Sequence, residues 1–325
     1  MYEATKNGAL LVAAFFIMAV LNYAFGVTLS WFFGPAEDGV VGVAQSLLLL
    51  TALVVGSGFA WTAAHDVAEL GLGDESRRRF RAAWVANTGL GLLLAGALWA
   101  AYALGWLPLG PAYRLVVPLV GLTTVILAAR AVVNGALRGL YRFGPLGLNQ
   151  VGEVIIKSMA GLALVAAGAG AEGVMIGFAL GSAAALLHSL WVVGSSRLWR
   201  GPGWLDGNVV AATVPLFAGM MGPALMLYLD VLGLKLLAPA ALGDELAGFY
   251  QAAVILARTP VFMAQALTAA LFSYVAGSAR EGTTPASYMQ AALRAWARVL
   301  LPAALVLALA PGAALDLFFP PAYQV

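Results

Sequence analysis

Arg77-Arg78-Arg79-Phe80-Arg81 is the stretch that decides the fold. It closes one long apolar run and opens the next, and the same event recurs at every second junction of the chain. Arg138 and Arg142 follow the fourth apolar run, Arg197 and Arg200 the sixth, and Arg280, Arg294 and Arg298 the eighth. The junctions between them carry acids: Glu37 and Asp38, then Glu172, then Asp244 and Glu245, with Arg114 as the basic exception. The positive-inside rule imposes this alternation on a chain that crosses a membrane repeatedly. It predicts a cytoplasmic N-terminus and arginine-bearing loops on the same side. Residues 34–39, 107–112, 169–172 and 238–245 then lie outside.

Composition leads to the same class. The chain has 325 residues, 62% of them hydrophobic and 10% charged, with a mean hydropathy of +0.91. A soluble domain carries about 25% charged residues, so lipid must cover much of this surface. A net charge of +2 gives no global basic field for nucleic acid. With no cysteine, disulfides, thiolate nucleophiles and cysteine-ligated metals are excluded. His65 and His188 fall on different runs, so neither a histidine metal site nor a cofactor is expected.

A helix needs about 20 apolar residues to cross the hydrocarbon core. Nine runs qualify, at roughly 8–33, 40–68, 80–106, 113–140, 145–168, 173–196, 208–236, 246–277 and 286–312. The first is read as an uncleaved span, since it is long for a signal peptide and lacks a small-residue cleavage site. Barrel strands are about 10 residues long and alternate. These runs do neither, so the expectation is an all-α polytopic protein of the cytoplasmic (inner) cell membrane. Residues 197–207 form the natural seam between a six-helix lobe, 1–200, and a three-helix partial lobe, 201–325. In the sixth run Gly173, Gly177 and Gly181 make a ridge that lets another helix approach closely.

Two junctions on the acidic side look alike. Gly34-Pro35-Ala36-Glu37-Asp38-Gly39 precedes Val40-Val41-Gly42, and Gly243-Asp244-Glu245-Leu246-Ala247-Gly248 precedes Phe249-Tyr250-Gln251. They follow the first and seventh runs, the spacing of a duplicated six-span unit. Parallel repeats of this kind recur in transporters, which place substrate at the repeat interface.

These turns belong to a wider resemblance. Ala64-His65-Asp66-Val67-Ala68-Glu69, Leu137-Arg138-Gly139-Leu140-Tyr141-Arg142-Phe143, and the seventh run with Asp230 ahead of Gly248-Phe249-Tyr250-Gln251 complete it. In this order they resemble the polysaccharide biosynthesis, or oligosaccharide flippase, proteins. Those share a superfamily with the multidrug and toxin extrusion exporters. The resemblance implies a two-lobe transporter of twelve or more spans that moves a polyprenyl-diphosphate-linked oligosaccharide by alternating access. It implies a lipid-linked anionic substrate, membrane lipids and polysaccharide assembly enzymes as partners. This chain stops after nine runs. Its tail, Leu317-Phe318-Phe319-Pro320-Pro321-Ala322-Tyr323, looks like the family's outside turn before span ten, so a C-terminally truncated member is expected.

Ionisable residues deep in a bilayer mark cavities or pathways. Arg130, Asn134 and Arg138 recur every four residues and share a helix face. At about 1.5 Å per residue, Arg130 lies about 12 Å deeper than Arg138. Glu153 and Lys157 sit four apart on the next run, and Arg258 falls near mid-membrane in the eighth. Arg130, Lys157 and Arg258 against Glu153 leave a positive surplus, which suits an anionic cargo because guanidinium forks bind phosphate oxygens. The substrate-binding candidates are therefore Arg130, Asn134, Glu153, Lys157 and Arg258, with Asn149 and Gln150 nearby for sugar. Competing readings are a plain Glu153–Lys157 ion pair and an Arg138 that snorkels to the headgroups. Asp230 and Lys235 read equally as interfacial. Asp66 is a gate candidate toward Arg77 to Arg81. Pro215 and Pro223, with Gly219 and Gly222, make the seventh run the most bendable and give hinge candidates.

Other chemistries find no support. Gly168-Ala169-Gly170-Ala171-Glu172-Gly173 matches a dinucleotide fingerprint but joins two apolar runs, with no strand ahead of it. No lysine follows glycine, so there is no P-loop, and neither GxSxG nor HExxH occurs. The loops are too short for a membrane glycosyltransferase site, and no catalytic residue is assigned. The alternatives to a flippase are a multidrug or cation exporter of the same fold, which calls for acidic cavity residues, and a non-transporting truncated remnant.

Overall fold

The computed structural model of the chain describes residues 2–194, 198–199, 207–239, 241–258 and 285–323. Arg197, Arg200, Arg280, Pro260 and the deep part of the eighth run lie outside them, as does the side chain of Pro223. All regular structure among the described residues is helical. In chain order it comprises α1 (Tyr2–Phe32), α2 (Pro35–Gly56), α3 (Phe59–Leu70), α4 (Asp74–Ala103), α5 (Val116–Gly139), α6 (Phe143–Ala166), α7 (Gly170–Gly194) and α8 (Gly207–Leu237). There follow α9 (residues 243–258), α10 (Pro285–Leu309) and α11 (Pro311–Phe318). Single 3-10 turns at Pro111–Tyr113 and Pro321–Tyr323 complete it.

Six stretches among the described residues are long and apolar enough to cross a membrane: Ala13–Phe32, Pro35–Leu70, Asp74–Ala103, Pro111–Gly139, Phe143–Ala166 and Gly170–Gly194. They match the first six expected spans. A seventh arises if the bent pair Leu300–Leu309 and Pro311–Phe318, at 95°, counts as one span. Large apolar side chains face outward along these helices: Leu93, Met159, Leu187 and Trp191 are each more than two-thirds exposed. Only lipid makes such a surface stable, because in water it would be one continuous sticky patch. The chain is a multi-pass membrane protein.

The second expected span is not one helix. α2 ends at Gly56 and α3 starts at Phe59. Between them Ser57 is extended, and Gly58 takes φ 38° and ψ −98°, which a side-chain-bearing residue avoids. Within the apolar run Leu47 to Thr62, Gly56-Ser57-Gly58 is the turn signal that marks the break. A Cβ on Gly58 would strike Thr213 of α8, so the break is also a place of close packing.

The glycine ridge performs as read. A Cβ on Gly177 would lie 2.7 Å from Gly161 of α6, and one on Gly181 would lie 2.7 Å from the Glu153 carbonyl oxygen. α7 therefore lies backbone to backbone on α6. This sets Asn149 and Glu153 of α6 against α5 and α7, and Lys157 against α7 and α1. α5 packs against α2, α3, α4 and α7, and it is the central helix of the first half.

The bundle has two chemically distinct ends. Residues 34–39, 104–115, 238–248 and 318–323 gather at the acidic end, where the two turns that repeat in sequence touch each other. Arg77, Arg78 and Arg79 lie at the opposite, arginine end. There the two halves meet again, with Thr62 Oγ1 3.2 Å from Thr213 Oγ1.

Candidate functional site

α5 carries the interior charges because its four-residue spacing turns Arg130, Asn134 and Arg138 to one side. Arg130 and Asn134 are buried. Arg130 forms an ion pair with Glu153 of α6, and Ser182 of α7 donates to Glu153 Oε1 at 2.9 Å. The i,i+4 pair of Glu153 with Lys157 is therefore displaced by a pair that crosses between helices. Lys157 turns the other way. Its Nζ donates to Asn22 Oδ1 of α1 and sits over the rings of Phe178 (4.4 Å) and Phe25 (5.3 Å). An ammonium held by an amide oxygen and two ring faces is stabilised without a carboxylate.

Asn134 has a structural task as well. Its Oδ1 accepts from Asn149 Nδ2 at 3.0 Å and from Ser189 Oγ at 2.8 Å, tying α5, α6 and α7 together. Asn149 is buried in this clasp, whereas Gln150 is part-exposed.

Arg258 is met within its own half. Its Nη2 lies 2.9 and 3.0 Å from the two oxygens of Asp230 on α8, and its guanidinium stacks over Tyr228 at 5.3 Å. Asp230 thus serves as the counter-ion of Arg258. Lys235 pairs with Asp244 at 2.8 Å near the acidic end. Asp66 lies 3.5 Å from Arg79, which also takes Glu75 at 2.8 Å. That contact joins α3 to α4, both in the first half. Pro215 is exposed on an unbroken α8, and Pro223 lies in the same continuous helix.

Arg138 differs from these. It is half-buried and stacks on Trp61 at 5.2 Å. Among the described residues no carboxylate faces it, and the charge acting on it is that of another cation, Arg130. It lines a cavity of about 160 Å³ with Gly56, Ala60, Arg130, Asn134 and Gln150. Gly56 and Ala60 flank the break in the second span, so the positive end of α3 is set at this groove. Sequence reading gave Arg138 a snorkelling role because it ends its helix. The break that turns the groove toward it is signalled by the short stretch Gly56-Ser57-Gly58.

Comparison with known proteins fits this architecture. No curated protein matches the sequence. Among solved structures, a MATE transporter in complex with MaD5 superposes with a TM-score of 0.69 at 15% identity, covering 97% of this chain and 76% of the other. The inward-facing conformation of a multidrug resistance MATE family transporter of the MOP superfamily gives 0.65 at 14%, over 96% and 75%. A MOP superfamily transporter from Pyrococcus furiosus, described by the reverse polarity of its binding pocket, gives 0.65 at 14%, over 99% and 76%. At such identities the likeness shows the fold. The family comes from sequence: the model for polysaccharide biosynthesis proteins matches residues 28–324, nearly the whole chain, and the chain belongs to that family.

Proposed function

We propose that the protein is a flippase of the cytoplasmic membrane that carries a polyprenyl-diphosphate-linked oligosaccharide outward by alternating access. The six spans of residues 1–200 form one lobe and residues 201–325 part of the other, with the acidic end outside. The observation that carries the reading is the groove at Arg138. Buried cations elsewhere in the described chain are answered by Glu153, Asp230, Asp244 or Asn22. Arg138, beside Arg130 and the start of α3, is left open to an anion. Half-helix N-termini in broken spans point at anionic substrate groups in other transporters, and a guanidinium fork matches phosphate oxygens. A cavity this small takes a phosphate group rather than a glycan; Gln150 at its rim is placed to meet the first sugar. Lys157 adds to the positive field without contacting the cargo directly, while Arg258 is neutralised by Asp230. An exporter of organic cations would need the opposite sign in this groove.

Native mass spectrometry of the protein purified in mild detergent tests this. The wild type is expected to retain a polyprenyl-diphosphate lipid, and Arg138→Gln to lose it while remaining folded. A folded wild type without such an adduct, or an adduct that Arg138→Gln retains in full, would overturn the assignment.

A further inference from the structure

The two turns that repeat in sequence meet in space through equivalent atoms. A Cβ placed on Gly39 would fall on the carbonyl oxygen of Asp244 and close to the amide nitrogen of Gly248. One placed on Gly248 would fall on the carbonyl oxygen of Pro35. Each glycine rests on the backbone of the opposite turn, so neither position accepts a side chain unless the halves part. One turn deeper a Cβ on Gly42 would meet the Gln251 side chain, and Gln251 Nε2 reaches Gln45 Oε1 at 3.4 Å.

A second duplication surrounds this contact. Pro111-Ala112-Tyr113 and Pro321-Ala322-Tyr323 are the same tripeptide in the same 3-10 turn, one in each half. Their tyrosines cross over. Tyr113 of the first half donates to Asp244 Oδ1 of the second at 2.7 Å. Tyr323 of the second half donates to Asp38 Oδ2 of the first at 2.9 Å. In both cases the same carboxylate oxygen takes a donor from its own half as well: Lys235 Nζ at 2.8 Å on Asp244, and Ser30 Oγ at 2.8 Å on Asp38. Both tyrosines are buried, and so is Asp38. Burial first, and the Asp38 carboxylate second, hold the Tyr323 phenol above its ordinary value, so it remains a donor.

We propose that this seam is the closed gate at the acidic end of the transporter, held by two exchanged tyrosine–aspartate latches that both release when the halves part there. The inference rests on the transporter reading above. Three features make the seam a gate and not a permanent weld. The contact lies on the pseudo-symmetry axis relating the halves, where rocking of one repeat against the other must open it. Its centre is glycine against backbone and its polar ties are hydrogen bonds, while apolar contacts such as Gly26 against Ile255 and Tyr23 against Phe318 also join the halves. Water can replace each tyrosine as donor to its aspartate, so the latch closes the seam without locking it. Duplication adds redundancy: with one latch lost, the other and the glycine contact still hold the halves together. On the Tyr323 side α11 braces the first half, Trp31 Nε1 donating to the Phe318 carbonyl at 2.9 Å.

The chain contains no cysteine, so introduced thiols are unique. Spin labels at Ala36→Cys and Glu245→Cys, both exposed and on opposite sides of the seam, report its width by dipolar electron paramagnetic resonance in lipid nanodiscs without substrate. The otherwise unaltered protein is expected to give one short distance. Tyr113→Phe or Tyr323→Phe alone should keep a closed majority. The double variant should lower the closed-to-open ratio by about a hundredfold or more. Gly39→Val should widen the seam independently by wedging it, which keeps the test decisive should the double variant fold poorly. A short distance retained by either variant, in protein whose circular dichroism and elution are native, overturns the proposal. No lipid-linked substrate enters this measurement, so its failure and the failure of the flippase assignment are separate results.

Discussion

The seam at the acidic end and the groove at Arg138 solve opposite problems with similar residues. At the seam each buried charge is answered twice, once from its own half and once from the other: Asp38 by Ser30 and Tyr323, Asp244 by Lys235 and Tyr113. In the groove Arg138 lies against an indole face, no carboxylate faces it among the described residues, and the charge acting on it is that of Arg130. A carboxylate saturated by its own protein has nothing left to offer a ligand. A guanidinium with unused donors in a small cavity does. The difference separates residues that set conformation from residues that take cargo, and it can be tested by removing one member of each set.

The largest effect is expected inside the groove itself, between its two arginines. Arg130→Ala leaves Glu153 buried with only Ser182 as donor. Breaking a buried pair from one side costs about 3–5 kcal/mol, so the variant should melt well below the wild type by tryptophan fluorescence. Arg130→Ala with Glu153→Gln should recover most of the loss. Arg138→Ala forfeits one cation–π contact, about 0.5–1 kcal/mol, and should melt close to the wild type while losing lipid. If Arg138→Ala is as damaging as Arg130→Ala, Arg138 is structural and the contrast between the two regions collapses.

The first part of this contrast was legible in the sequence and the second was not. Spans, their ends and the positive surplus follow from apolar run lengths and arginine placement, because lipid permits little else. The repeat of the two glycine-bearing turns was visible too. That those turns face one another was hidden, since the symmetry axis that joins them is a property of packing. Tyr113 and Tyr323 went unnoticed although Pro-Ala-Tyr occurs twice; the tripeptide is short, and only the shared 3-10 turn shows that it matters. The partner of Glu153 was hidden for a related reason. The i,i+4 neighbour Lys157 is adjacent on paper, but α7's glycine ridge draws α6 close and turns Glu153 to Arg130. The split of the second span sits at Gly56-Ser57-Gly58, a turn signal that the length of the apolar run outweighed.

The next effect in size concerns the latches. A hydrogen bond to a charged group contributes about 1.5–3 kcal/mol. Tyr323→Phe and Tyr113→Phe should each lower the closed-state preference by about that amount and leave lipid binding at Arg138 unchanged in native mass spectra. Loss of the lipid adduct in either tyrosine variant would mean that seam and groove are one site. Smaller still is the hinge effect. Ala at both Pro215 and Pro223 restores two backbone donors to α8 and should stiffen it. In vesicles carrying labelled lipid-linked substrate, transport should slow several-fold, by about 1 kcal/mol of barrier, with insertion intact. Undiminished transport would remove α8 from the opening motion.

The smallest effect is expected at Asp66. Its contact with Arg79 is 3.5 Å long, and Arg79 is about one-third exposed with Glu75 closer. Asp66 is buried, but Arg79 is partly exposed and shared with Glu75, so the pair contributes about 0–1 kcal/mol, and it ties α3 to the neighbouring α4 within the first half. Asp66→Asn should therefore leave the melting temperature and the Ala36–Glu245 spin-label distance nearly unmoved. One contact between halves near that end is the hydroxyl pair of Thr62 and Thr213, beside the break at Gly58, and Val209 of α8 packs there into the first-half core. If Asp66→Asn nevertheless shifts the seam distance, the arginine end is coupled through α3 and that break to the latches some 30 Å away, at about 1.5 Å per residue along α2. The second span would then be the lever between two gates, and Asp66 would rank beside the tyrosines as a residue that sets conformation.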